Sequence, residues 1–186
     1  RASVAEARQV MLSTQNLLLP SNGAPVVAPT LDIVFGCYYL TDIRDGARGE
    51  FRPANGNGAF QGIYGSFDEA KMAYDMGHLD LRARIRVRDA RTNGELIETT
   101  VGRIIFNEVL PEEMGFRNHV MDKKCLKDLV SEACLKLDNV RTAQMVDRMK
   151  NVGFQFATKS GITIAMNDLK VPEKKEELLA SADRTI

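Results

Sequence analysis

Lys159 stands at the end of a helical run, directly before Ser160-Gly161, with Phe154 and Phe156 ahead of it and Ile162 and Ile164 behind. Glycine accepts the left-handed conformation of a helix C-terminal cap, so the helix should stop there. The four apolar side chains predict a buried junction, with the Lys159 ammonium as the one polar group able to reach a cavity. Other reactive residue types are scattered. Cys37, Cys125 and Cys134 form no C-x-x-C pair, and neither His78 nor His119 has a second ligand at metal-binding spacing. Neither histidine has the serine or cysteine arrangement that nucleophilic catalysis needs. Ala54-Asn55-Gly56-Asn57-Gly58 has the glycines of a phosphate cradle but not its Gly-Lys-Ser/Thr ending, and reads as a surface hairpin or loop. Phosphoryl transfer by paired metal ions needs a knot of carboxylates, and no D-x-D-x-D cluster is present. On these residues the expectation is no catalytic group and no metal site.

The 186 residues suffice for one ordinary domain or two small ones. A hydrophobic content of 44% with 27% charged residues is that of a globular protein. Twenty-five basic residues balance 25 acidic ones, without the basic excess of a free-standing nucleic-acid binder. No apolar run approaches the roughly 20 residues that span a membrane, and no secretory signal is visible. An odd number of cysteines suits a reducing cytosol. The chain opens on Arg1 and its last helix reaches Ile186 without a stop signal, so it reads as a piece of something longer.

The elements that must position these groups are mostly helical. A helix is expected over 5–19, ended by Pro20. Thr30 should cap a second, 31–40, which is apolar nearly all round and should be buried. Ser66 caps a short helix over 67–76. Residues 81–88 alternate strictly, with Leu81, Ala83, Ile85 and Val87 on one side and four arginines on the other. A turn at Asn93-Gly94 would return the strand over 95–101, setting Thr92 opposite Glu95 and Arg88 opposite Thr99. The arginine stripe is read as solvated or subunit-facing. Helices follow over 102–110, 122–137 and from Asn139 or Thr142 to Ser160, and a last one begins near Pro172 or Glu173. The fold class is α+β, predominantly helical with a small antiparallel β-hairpin.

Three blocks carry a resemblance. They are Met11 to Pro29 (MLSTQNLLLPSNGAPVVAP), Glu98 to Pro111 (ETTVGRIIFNEVLP) and Gly153 to Ile164 (GFQFATKSGITI) with its acidic loop and Val171-Pro172. In the same order they resemble the β′ subunit family of bacterial DNA-directed RNA polymerase. The resemblance implies an internal fragment of a nucleotidyltransferase, inactive alone, forming the pore and funnel region that lines the secondary channel. Residues 1–111 would be the pore segment, with a glycine-rich loop over 45–65, and 112–186 the helical funnel side. Lys159 would face the channel where many members carry arginine, with Gln15 and Asn16 nearby. Lysine keeps the charge but loses the two-pronged geometry. Asn167, Asp168, Pro172 and Lys174 would lie in the loop that props the bridge helix. The resemblance further implies magnesium, and zinc elsewhere, for the full subunit; β, α, ω and σ subunits, DNA, RNA, nucleotides and secondary-channel factors as partners; and a cytoplasmic location. The competing class is a non-catalytic module that docks other subunits or transcription factors.

Overall fold

The structure is a computed structural model that describes residues 2–52, 62–88, 94–170 and 172–184. Its helices are α1 (Ala2–Gln9), α2 (Asp32–Thr41), α3 (Phe67–Asp75), α4 (Val101–Val109), α5 (Lys123–Lys136), α6 (Asn139–Ser160) and α7 (Lys175–Asp183). Its strands are β1 (Ile63–Tyr64), β2 (Ile85–Arg88) and β3 (Leu96–Thr99). No helix among the described residues is long and apolar enough to cross a membrane.

Helix α2 is the centre of the packing. It lies against α6 and α4, and Cys37 and Leu40 are wholly buried. Two glycines make room, Gly36 within it and Gly102 on α4. A Cβ on Gly36 would sit 1.8 Å from the Gly153 carbonyl oxygen of α6, and one on Gly102 of α4 would sit 1.8 Å from the Leu40 carbonyl oxygen. Backbones meet at both crossings, so the apolar helix is covered by this chain. Its two ends differ. Leu31 and Tyr38 stay exposed, at 85% and 45%.

The expected Thr30 cap does not form: Leu31 precedes the helix, with φ 47° and ψ −120°, and no side chain caps it. A left-handed leucine costs about 1–3 kcal/mol, and glycine relieves it. Leu31→Gly is therefore expected to raise stability by about 1 kcal/mol despite the added freedom of the unfolded chain. Urea unfolding checks this, and a loss of stability would show that the exposed leucine is not strained.

The first expected helix is shorter than its pattern. It ends at Gln9, a 3-10 turn follows over Ser13–Gln15, and Leu18 pairs with Pro25 in an isolated bridge. The Asn16 side-chain amide donates to the Val10 and Leu12 carbonyls, 2.7 and 3.1 Å away, which is the local competition that ends helices. Elsewhere the Ser66 cap forms as expected, and two further N-caps are found at Asp122 and Asp138. Ser66 accepts from the Glu69 N–H, Asp122 from Cys125, and Asp138 from Arg141. Gly161 closes α6 in the left-handed region at φ 61°. Helix α7 starts at Lys175, two or three residues after the expected point, and buries nothing.

The sheet has three strands rather than two: β1 runs parallel to β2, and β3 antiparallel to it. The flanks of the glycine-rich region supply the extra contacts. Phe51 N–H donates to Arg84 O, and Arg86 N–H to Gly62 O. Residues 53–61, with the cradle-like Ala54 to Gly58, and Thr92-Asn93 lie outside the described residues. The hairpin register departs from a two-residue turn. Arg88 faces Leu96 and Ile85 faces Thr99, so Arg86 faces Glu98. This pairing keeps the apolar and charged faces of the two strands matched, which the other register would have broken. Leu81, Ala83, Ile85 and Val87 are all buried, as the alternation predicts, and so is Leu79 before them.

The arginine face is partly engaged within the chain. Arg82 lies over the Tyr39 ring at 4.6 Å and Arg86 over Phe51 at 4.1 Å. Arg84 reaches Asp45 and Glu98 at 3.2 and 3.3 Å. One hydrophobic cluster continues from Cys37 through α4 and α5 to Phe156.

Candidate functional site

Lys159 comes to rest on the rim of a cleft of about 430 Å³ between α2, α3 and the last turn of α6. Leu79, Leu81 and Phe156 form its apolar part; Tyr39, Tyr74, Arg48 and Asp80 supply the polar groups. The Lys159 ammonium lies 5.1 Å from the centre of the Phe156 ring. It makes no hydrogen bond or ion pair among the described residues. Arg48 is held by one bond, from Nη1 to the Gly77 carbonyl at 3.0 Å. Asp80 accepts from the Arg82 N–H at 3.0 Å, which orients its carboxylate. Burial raises the Tyr74 hydroxyl above its usual range, reinforced by the charges of Asp75, Tyr39 and Asp80. That phenol therefore stays a proton donor at neutral pH.

The junction around Lys159 is only half buried. Phe156 is 3% exposed, but Ile162 and Ile164 are 60% and 80% exposed. The reason is periodicity: Phe154 and Phe156 are two apart on a helix and cannot share a face, and after the Gly161 cap the chain leaves the core. Gln15 and Asn16 lie on the surface in and after their 3-10 turn, and neither lines the cleft. Asn167 and Asp168 form a second exposed 3-10 turn, in which Asp168 accepts from the Ala165 N–H at 2.8 Å. Pro172 and Lys174 are exposed beside α7. The structure does not gather these six residues into one site with Lys159.

A second polar assembly escaped the sequence reading. Arg103 on α4 is only 7% exposed. Its Nε donates to the Thr41 carbonyl at 2.9 Å, and its Nη1 to the Asn118 carbonyl and Oδ1 at 3.1 and 3.2 Å. Asn118 donates in turn to the Glu98 carbonyl. Asn107, one turn along α4, accepts from the Arg117 N–H and donates to the Arg103 and Arg117 carbonyls. Thr41 Oγ1 accepts from the Met121 N–H and donates to the Cys37 carbonyl. The web joins α2, α4 and β3 to the segment before α5. Burial lowers the Arg103 pKa, and Arg84 adds to this while Asp42 opposes it. An available signal was the i, i+4 spacing of Arg103 and Asn107 inside an otherwise apolar helix.

Arg117 extends the web to α5, with Nη2 at 2.7 Å from both Glu132 oxygens; Lys136 adds 2.8 Å. The hydrogen bond from Lys136, then Arg117, holds the Glu132 carboxyl below its usual value of 4.5. A carboxylate with a depressed folded-state pKa stabilises above its unfolded value, and that stability is lost as pH falls through the folded value. Glu132→Gln should therefore lower the melting temperature at pH 7, by an amount that shrinks as pH falls below 4.5. A pH-independent difference would show that the ion pairs are not its source.

Among the described residues, no group of three histidines, cysteines, aspartates or glutamates could hold a metal ion. The cysteines are free thiols, and burial raises Cys37 to about 12, which makes it inert. The described residues form a folded scaffold in which the cleft beside Lys159 is open and carries two cations against one carboxylate.

Residues 16–169 match the sequence model of RNA polymerase Rpb1, domain 3. The chain belongs to that family. Among its relatives, the DNA-directed RNA polymerase subunit beta' of Dehalococcoides mccartyi is 49% identical over 98% of this chain and 13% of its own length. The subunit of the same name from Desulforamulus reducens is 46% identical over 98% of this chain and 14% of its own length. That of Nocardia farcinica is 41% identical over 94% and 15%. This domain-3 chain thus spans about an eighth to a seventh of the curated relatives it matches. The matched span takes in α2 through α6, the cleft and the Arg103 web.

Proposed function

We propose that the chain is a segment of the β′-type subunit of a DNA-directed RNA polymerase and contributes structure, rather than reacting groups, to templated RNA synthesis. The observation that carries this reading is 49% identity across 98% of the chain to a subunit of that name. In this reading the segment forms part of the wall of the secondary channel, with Lys159 turned to passing nucleotides. The exposed turn at Asn167-Asp168 and the Pro172 to Lys174 stretch prop the bridge helix. The exposed Ile164, Met166, Leu169 and Leu178 suit contact with the rest of the subunit. Partners are then the β, α, ω and σ subunits, template DNA, RNA, nucleotides and secondary-channel factors, in the cytoplasm.

Magnesium belongs to the reaction in this reading. The residues described here do not fit it, since they bring no three carboxylates together. No catalytic step is assigned to them, and zinc likewise has no site among them.

The test is replacement of the corresponding segment in a full-length subunit by this one, followed by promoter-dependent transcription. RNA synthesis by the chimaera supports the reading, and an assembled but silent enzyme counts against it. Within that enzyme Lys159→Glu should raise the nucleotide KM roughly tenfold at low salt, because a steering cation becomes an anion. Unchanged KM and unchanged transcript cleavage would remove Lys159 from the channel.

A further inference from the structure

Helix α3 carries an outward face that the described residues leave open. Its inner side, with Ala70, Ala73 and Tyr74, packs on the core. At about 100° per residue, Asp75, Asp68, Met72, Met76 and Glu69 follow one another around an outer arc of roughly 120°. Met72 and Met76 lie one turn apart and are 60% and 66% exposed. Carboxylates stand on both sides of them.

The fold does not account for all of this charge. Asp68 and Glu69 suit the positive end of the helix, and Glu69 also accepts from the Gly65 N–H at 2.6 Å. Asp75 lies in the last turn, where the helix dipole disfavours an anion, and it makes no hydrogen bond or ion pair among the described residues. Lys71, beside the arc, is shared between Asp68 and Glu108, so two carboxylates face one ammonium. Arg48 lies at the far end of the helix, bonded to the Gly77 carbonyl. A chain with equal numbers of acidic and basic residues thus keeps a local acidic excess around two bare methionines.

Each feature selects part of a partner. An exposed methionine pair adapts to varied apolar side chains. Its spacing of one turn matches the apolar anchors of an amphipathic helix. The flanking carboxylates ask for lysine or arginine along the margins of that helix. Two methionines inside a charged rim do not make a permanent interface, which buries roughly 2,000 Å² or more and is depleted of charge at its core. The occupant therefore comes and goes, unlike the fixed neighbours that suit the apolar surface from Ile164 to Leu178.

We propose that the outer face of α3 reversibly docks a basic amphipathic helix of a separate protein. Met72 and Met76 meet its apolar stripe, and Asp68, Glu69 and Asp75 meet its cations.

The experiment uses assembled polymerase carrying these residues in the full-length subunit. The probe is a leucine-lysine peptide of about 14 residues, its leucines at helical spacing, with one benzophenone for photocrosslinking. The crosslink is expected on the tryptic peptide Met72 to Arg82 and should weaken as salt rises. Met72→Gln combined with Met76→Gln should reduce it about tenfold, and Asp75→Asn about threefold, at an unchanged melting temperature. A peptide of the same composition without the leucine stripe should crosslink there about tenfold less. Crosslinks confined to other peptides, or unaltered by these variants, overturn the proposal. Equal labelling by the stripeless peptide refutes the apolar half, and indifference to salt and to Asp75→Asn refutes the charged half. Hydrogen peroxide should oxidise Met72 and Met76 readily in the assembled enzyme without peptide. Protection of both would show that the rest of the enzyme covers the face, which also overturns the proposal. Docking can fail while the chimaera transcribes, so this inference and the polymerase reading fall separately.

Discussion

Gly36→Ala is expected to cost at least about 3 kcal/mol. The added Cβ would lie 1.8 Å from the Gly153 oxygen, 2.6 Å from its carbon and 2.9 Å from the Ala157 nitrogen. All three are backbone atoms in the middle of α6, so no rotamer change can relieve the clash. The helices would have to part by roughly 1.5 Å to restore ordinary contact, which undoes dispersion along the whole crossing. Gly153→Ala meets Ile33 at 2.8 Å, partly its side chain, and should cost less, about 2 kcal/mol. Chemical unfolding of both variants checks the order. If Gly36→Ala unfolds within 1 kcal/mol of the parent, the close crossing of α2 and α6 is wrong. Loss of cooperative unfolding would be the same result in a stronger form.

The second large effect is expected at Arg103. Among the described residues its guanidinium has no carboxylate at hydrogen-bond distance; carbonyl and amide oxygens take its protons. Burying it therefore brings a desolvation cost, against which three charge-assisted bonds are set. Arg103→Met fills much of the stem volume and removes that cost, but it leaves the Thr41 and Asn118 carbonyls without their donor. The second term should win, with a net loss of about 3 kcal/mol. Arg103→Lys should not rescue, because one ammonium cannot span the fork between Thr41 and Asn118. A double-mutant cycle with Asn118→Ala should show a coupling of about 1–2 kcal/mol. Additive losses would mean that the two residues act separately, and stability kept in Arg103→Met would mean that the web is incidental.

The legibility of the fold varied with how local its cause is. Ser66 caps its helix through a bond three residues long, and that spacing was visible in the sequence; Asp122 and Asp138 cap theirs in the same way without having been read as caps. The alternation from Leu81 to Arg88 was equally plain. The hairpin register was not, because it depends on matching Arg86 with Glu98 and not on the turn signal at Asn93-Gly94. Helix α1 stopped early because one amide, Asn16, folded back on the chain; apolar periodicity carries no trace of that. The cleft was legible only as Lys159. Arg48, Tyr74 and Asp80 reach it from separate segments, and no spacing rule connects them. The glycines at 36, 102 and 153 looked unremarkable in helical runs, yet they set how closely α2 is held.

That crossing has a consequence for how the chain is made. Gly153 follows Gly36 by 117 residues. At about 5–20 residues per second, ribosomal synthesis leaves α2 without its main cover for roughly 6 to 23 s. For that interval a nearly all-apolar helix emerges before the groove that will receive it. Misassociation during translation, rather than instability once folded, is the hazard that this topology builds in.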